Sequence, residues 1–240
     1  MSRRLLPQIL LLQVRRDARA LEHERACYLS ACRDLGEFSF RNLPDEPAVR
    51  WADVRGFEVL MVGGSGECSA TEEYPFSAPL GDVVRRWITE GRPFFGSCWG
   101  HQFLAVALGG RVVTDRYTSE VGTFAVELEA AGRRDPLLAQ FPRRFQAQMG
   151  HHDYVSELAP GTDSLARSDR CPNQIVKVVG KPAYSTQFHS ELGRRQLLER
   201  LRLYQDDYLP EGRSMEEMEA AIRPSPAVRP LLRRFLEMVT

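Results

Sequence analysis

The first hundred residues alternate between two hydrophobic periods. Ile9 to Val14 (I-L-L-L-Q-V) is a near-continuous apolar run, the signature of a strand covered on both faces. From Asp17 onward Leu21, Tyr28, Leu29 and Cys32 recur at helical spacing, and Gly36 supplies a stop before the short strand-like E-F-S-F. F-E-V-L-M-V then predicts a second buried strand that runs into G-G-S-G, followed by a helix from about Leu80 to Glu90 that ends at Gly91. Pro93 to Gly96 predicts another strand. After it Phe103, Leu104, Ala107 and Leu108 mark one face of a helix that stops at Gly109-Gly110. Strand and helix in alternation imply an α/β fold, an open, mostly parallel sheet flanked by helices, with ligands at the carboxyl ends of the strands.

The pattern changes after residue 110. R-V-V-T, T-F-A-V-E-L, F-Q-A-Q-M and Q-I-V-K-V-V predict short strands, several of them antiparallel, so a smaller antiparallel region is expected, with one turn of helix around Asp135 to Gln140. A-Y-S-T-Q-F-H predicts a strand ending at His189. The tail, about 193–240, reads as helical: Leu197, Leu198, Leu201 and Tyr204 form one stripe, and Val228, Leu231, Leu232, Phe235, Leu236 and Val239 form another. These stripes are assigned to core or lid packing. Pro224, Pro226 and Pro230 punctuate the approach to the last helix, where Pro230 fits the first turn. With no repeat, low-complexity tract or linker, residues 1–240 read as one domain.

Composition narrows the function classes. The 240 residues are 43% hydrophobic, enough for a substantial core, and 32 basic residues balance 32 acidic ones. That balance gives no field to steer the chain toward nucleic acid or an anionic membrane, so neither is expected as a partner. Five cysteines, at 27, 32, 68, 98 and 171, lack the framework of a small secreted domain, which points to a reducing cytoplasm. The opening M-S-R-R-L-L-P-Q-I-L-L-L-Q-V-R-R imitates a signal peptide, but it contains a proline, lacks a small-residue cleavage site and ends in Arg15 and Arg16.

Candidate chemistry centres on F-G-S-C-W-G-H-Q, Phe95 to Gln102. A strand that turns sharply into a helix presents the turn residue above the sheet edge and needs small neighbours, here Gly96 and Gly100. Cys98 would also sit at a helix N-terminus, where unpaired amides favour an anion. A free cysteine is equally at home as a small core side chain, so spacing alone leaves both readings open. A nucleophile needs a base. Among five histidines, His23 lies on a charge-rich helix and reads as solvated, while His101 would point away from the thiol. Adjacent His151 and His152 would face opposite ways on a strand, so no metal site is expected there. His189 is followed two places on by Glu191, which can orient one imidazole nitrogen while the other faces a thiol. Gly63 to Gly66 can bring backbone amides close to a substrate as oxyanion donors, or simply form a tight turn.

Taken in order, V-G-G-S-G, F-G-S-C-W-G-H-Q, M-G-H-H-D-Y-V-S-E-L-A-P-G and T-Q-F-H-S-E resemble a class I glutamine amidotransferase over Ile9 to Glu191. The likeness is to the amidotransferase domain of GMP synthetase and to free-standing proteins built like it, including γ-glutamyl peptidases. The resemblance implies a flavodoxin-like sheet and a triad in which Cys98 attacks the glutamine side-chain amide, His189 shuttles the proton and Glu191 orients His189. It further implies an oxyanion hole from the Gly64 and Trp99 amides and a glutamine pocket involving Gln102, His151, Asp153 and Gly63, without metal or cofactor. Two residues depart from the family pattern. Ser190 replaces a proline usual between the histidine and glutamate, and Trp99 stands where leucine or phenylalanine is common and is expected to narrow the pocket or contact a partner. Nothing after Glu191 is long enough to be a synthetase, so ammonia would pass to an acceptor on a separate synthetase subunit. The alternatives are a γ-glutamyl peptidase needing no acceptor and an inert binding module of the same fold.

Overall fold

The computed structural model describes residues 6–46, 48–209 and 214–240; residues 1–5 of the opening stretch and 210–213 of the expected helical tail lie outside the described residues. The first half runs β1 (Gln8–Gln13), α1 (Ala18–Cys32), β2 (Glu37–Asn42), α2 (Trp51–Val54), β3 (Val59–Val62), α3 (Ser77–Thr89), β4 (Phe94–Ser97) and α4 (Trp99–Ala107). The second half runs β5 (Arg111–Thr114), β6 (Glu120–Leu128), β7 (Arg144–His151), β8 (Asp153–Glu157), β9 (Thr162–Arg167), β10 (Ile175–Val178), β11 (Ala183–Thr186), α5 (Arg194–Leu203), α6 (Gln205–Tyr208), α7 (Met215–Ala221) and α8 (Leu231–Val239).

A nine-stranded sheet has the order β2-β1-β3-β4-β11-β10-β9-β6-β7, while β5 and β8 pair separately. The strands from β2 to β11 are parallel, and those from β10 to β7 join antiparallel. The parallel portion thus has the strand order of a flavodoxin-like sheet. Its apolar runs are explained by cover on both faces. Leu10, Leu12, Leu60 and Val62 pack with Leu80, Val84, Trp87 and Leu104 of α3 and α4. Ile9, Leu11, Val59 and Met61 alternate to the other face, against Tyr28 of α1 and Leu232 and Phe235 of α8. The second tail stripe is therefore core packing, whereas Leu197, Leu198 and Leu201 of α5 form a side cluster with Cys27, Met218 and Ile222. Among the described residues no helix is long and apolar enough to cross a membrane, and the five cysteines are free thiols.

Several boundaries differ from the sequence pattern. Helix α3 begins at Ser77 rather than Leu80. The turn of helix near Asp135 is a 3-10 turn, Pro136–Leu138, capped by the Asp135 side chain. β11 stops at Thr186, so His189 lies three residues beyond the strand instead of ending it. The pattern missed β8 and β9, whose polar-rich sequences D-Y-V-S-E and T-D-S-L-A-R offer only one or two buried positions each.

The join between β4 and α4 leaves no room for side chains at its glycines. A Cβ on Gly96 would stand 2.6 Å from the Gly100 carbonyl oxygen, and one on Gly100 only 2.2 Å from the Val62 carbonyl oxygen. Both obstacles are backbone, so relief requires α4 to move off β3. Gly100→Ala should therefore destabilise the fold by about 3 kcal/mol, the upper range for overpacking. Urea denaturation checks this, and a change within experimental error would mean that α4 has slack against β3.

Candidate active site

Four segments converge at the carboxyl edge of the parallel strands: Arg15 after β1, Gly63–Gly66 after β3, Cys98 after β4 and Gln187–Glu191 after β11. Cys98 has φ 51° and ψ −103°, the one non-glycine with positive φ among the described residues. Such a backbone costs about 1–3 kcal/mol and persists only where its surroundings enforce it. The enforcement is visible: the Cys98 amide donates to the Thr186 carbonyl at 2.8 Å, and its own carbonyl accepts from His101 and Gln102 in the first turn of α4.

His189 is buried beside this elbow. Its Nδ1 lies 2.7 Å from Glu191 Oε1, while Glu191 Oε2 accepts a hydrogen bond from the Ser97 hydroxyl at 3.2 Å. The Cys98 thiol donates to the Gly150 carbonyl at 3.8 Å, and the imidazole is its neighbour: a Cβ built on Gly64 would stand 3.0 Å from His189 Cε1 and 3.4 Å from Cys98 Cβ. The His189 loop is fixed by its amide, which donates to Gln148 at 2.9 Å, and by Thr186 Oγ1, which donates to Phe188. Burial disfavours the imidazolium, but Glu191 and Cys98 outweigh it and raise the His189 pKa to about 9. Burial likewise opposes ionisation of Glu191, and His189 more than compensates, holding its carboxyl below the usual range.

A cavity of about 280 Å³ opens at the thiol and is lined by Ser65, Gln102, His151, Asp153 and Tyr208 among others. The wall residues are heavily cross-linked. Gln102 Nε2 donates to the Asp153 carbonyl at 2.8 Å and to Gln187 Oε1 at 3.3 Å. The Asp153 carboxylate accepts from Thr114 and Ser69 at 2.6 and 2.5 Å. His151 is held between the Asp153 carbonyl and the buried Glu120 carboxylate. His152 also lines this cavity and stacks on Tyr208, with ring centroids 5.3 Å apart.

Several expectations need correction. The Trp99 side chain neither narrows the cavity nor reaches the surface: it is buried in the core, stacked on Phe103 at 4.8 Å and edge-on to Phe76. The Gly64 amide is not open toward the thiol. It donates to Glu24 Oε1 at 3.1 Å, because Glu24 is buried behind the glycine turn with Arg15 as its ion-pair partner at 2.8 Å. Gly63 offers no backbone group to a ligand: its amide donates to Leu12 and its carbonyl accepts from Gly100, and a Cβ there would meet the Glu24 carboxylate at 2.9 Å. His23 is not simply solvated; it lies 3.2 Å from Glu199 and accepts from Arg200. His101 is buried against Ser185, its pKa driven down to about 3 chiefly by burial. Sequence reasoning overlooked Arg15, Glu24, Gln187, Tyr204 and Tyr208. The available signal was an acidic residue on the buried side of α1 facing an arginine just past β1.

An open flavodoxin-like sheet with a cysteine elbow at its carboxyl edge defines the broad class. A family model for class-I glutamine amidotransferases matches residues 52–199, and the chain belongs to that family. It is 35% identical over 100 residues to a glutamine-hydrolysing GMP synthase subunit from Methanocaldococcus jannaschii, covering 42% of this chain and 51% of that protein. It is 32% identical over 139 residues to the glutamine amidotransferase-like protein YfeJ of Salmonella typhimurium, covering 56% and 57%. The chain thus spans about half the length of these curated relatives. Among solved structures, a glutamine amidotransferase from Thermotoga maritima superposes with a TM-score of 0.79 over 97% of each chain at 23% identity. One from Methylobacillus flagellatus gives 0.71 over 98% of this chain and 93% of that one at 18% identity. These two likenesses establish the fold.

The His189 pKa carries a stability prediction. Because it lies above the unfolded value of 6.5, the stabilisation is complete below that pH and is lost as pH rises through about 9. Chemical denaturation of the parent protein and His189→Asn at several pH values should show the parent's advantage shrinking over that window; a constant difference would contradict the buried charge arrangement.

Proposed function

We propose that this chain hydrolyses the side-chain amide of glutamine, or a related γ-glutamyl bond, through a Cys98 thioester. The observation that carries the reading is the elbow cysteine at positive φ beside a buried imidazole that is itself 2.7 Å from a carboxylate. The thiol proton is taken up by His189, and Glu191 balances the imidazolium that results. Cys98 Sγ bonds to the substrate carbonyl carbon, whose electron pair moves onto oxygen. His189 then gives its proton to the departing nitrogen, the C–N bond breaks and ammonia leaves. Water, deprotonated by His189, attacks the thioester and returns the thiol and glutamate.

Trp99 opens α4, so its amide is one of those at a helix start without an intrahelical acceptor, and it serves as an oxyanion donor. Gln102, His151 and Asp153 form the substrate-facing wall, with the bonds among them fixing its shape. The ammonia passes to an acceptor on a separate synthetase chain, a reading supported by the name of the Methanocaldococcus jannaschii relative, which calls it a subunit. A peptidase reading has its own support. A second cavity of about 700 Å³ shares Arg116, His152 and Tyr208 with the thiol cavity and gives space for a leaving group larger than ammonia.

Cys98→Ala should abolish glutamate release, whereas retained turnover would remove Cys98 from the chemistry. In the unmodified protein a diazo-ketone analogue of glutamine should label Cys98, as mapped by mass spectrometry. Equal labelling of Cys27 or Cys171 would count against a glutamine site. Glu191→Gln should lower kcat by about 10²–10⁴, the usual scale for acid–base assistance. Rates with glutamine and with γ-glutamyl dipeptides separate the amidotransferase and peptidase readings.

A further inference from the structure

We propose that Glu24 is a positioning residue that withholds one of the two oxyanion donors, so that the resting site stabilises the tetrahedral intermediate with the Trp99 amide alone. The inference rests on the thioester reading above, with Gly64 as the second donor. Its structural basis is the orientation of one peptide plane. The carbonyl of Gly63 accepts from the Gly100 amide at 3.0 Å on the α4 side. In a trans peptide the N–H points opposite to the C=O, so the Gly64 N–H is directed away from α4, where Glu24 Oε1 receives it at 3.1 Å. Gly64 is nevertheless at the reacting groups: a Cβ built on it would stand 3.0 Å from His189 Cε1 and 3.4 Å from Cys98 Cβ. The donor is therefore in place but turned from the thiol.

Glu24 is equipped to hold that orientation. Its side chain is fully buried, Oε1 also accepts from Arg15 at 2.8 Å, and Oε2 accepts from Gln13 at 3.0 Å. A hydrogen bond to an ionised acceptor is about twice as strong as one between neutral partners. The Glu24 charge is balanced by Arg15, which also stands 3.0 Å from a Cβ built on Gly64, so the effect of Glu24 on the site runs through the direction of that amide. Turning the 63–64 peptide toward the thiol requires breaking both the Gly64 to Glu24 and the Gly100 to Gly63 bonds. Arg15 connects this contact to the tail: its Nη1 donates to the Tyr204 hydroxyl at 3.3 Å, and that hydroxyl donates to Glu67, in the loop after Gly66, at 2.9 Å.

The test is the glutaminase rate of Glu24→Gln, which preserves shape while neutralising the acceptor. The expected result is a kcat increase of about tenfold with KM steady, part of the 10²–10³ that a single oxyanion donor typically contributes. Affinity for the aldehyde analogue of glutamine gives a second readout. The Cys98 thiol adds to its carbonyl, forming a thiohemiacetal whose oxygen occupies the oxyanion position, so binding should tighten by a similar factor. An Arg15→Met/Glu24→Leu double variant removes both buried charges together and should behave alike, which keeps the test decisive if the single variant folds poorly. A kcat or aldehyde affinity that stays level or falls overturns the proposal. Diazo-ketone labelling of Cys98 in the same variants separates the outcomes: persistent labelling with unchanged kcat rejects the role of Glu24 alone, whereas absent labelling in the unmodified protein rejects the thioester reading beneath it.

Discussion

The site depends on one strained turn at the end of β4. Cys98 can hold φ near 51° only because strand, turn and helix are locked from three sides. Gly96 and Gly100 permit backbone contacts that any side chain would block. Thr186 supplies the third constraint and links two functions. Its carbonyl accepts from the Cys98 amide, while its hydroxyl donates to Phe188 at the base of the His189 loop. Since Thr186 pairs with Ser97 in the parallel register, one strand end fixes both the thiol and the imidazole that faces it. Precision at the site is thus a property of the sheet edge rather than of the loops above it.

Two buried carboxylates flank that turn and act on different parts of it. Glu191 stabilises the charged imidazole, and its second oxygen is occupied by Ser97, so the carboxylate has little freedom to swing away. Glu24 pairs with Arg15 and holds a backbone amide. Buried ion pairs are a poor source of net stability, because desolvation consumes most of the attraction, but removing one partner leaves a costly isolated charge. Both pairs are better understood as geometric constraints on groups next to the thiol.

The sequence made the parallel half of the fold legible because burial on both faces writes itself as continuous apolar runs. The elbow at Cys98 was legible for a different reason, since glycine flanks mark a crowded strand-to-helix turn, whereas the strand end expected at His189 falls three residues earlier, at Thr186. The less visible features rely on long-range partners. β8 and β9 carry weak alternation and gain their pairing from distant strands. Trp99 looked like a pocket residue by its place in the motif, yet Phe76 and Phe103 draw its ring into the core. Gly64 met the steric requirement for a donor, but its orientation is decided by Glu24, forty positions away, and nothing local in G-G-S-G carries that information.

The boundaries of the family match divide the site in an informative way. Cys98, Trp99, Gln102, His189 and Glu191 all fall within residues 52–199, so this cluster belongs to the part of the chain that the family model matches. Arg15 and Glu24 precede that segment, and Tyr204 and Tyr208 follow it. These outer residues nonetheless touch the same groups: Glu24 holds Gly64, Arg15 joins Glu24 to Tyr204, and Tyr208 forms part of the cavity wall beside His152. The matched segment therefore contains the elbow, the imidazole and its carboxylate partner. The flanking segments supply the acceptor of the neighbouring amide and part of the cavity wall, so the surroundings of the thiol are completed from outside the matched stretch.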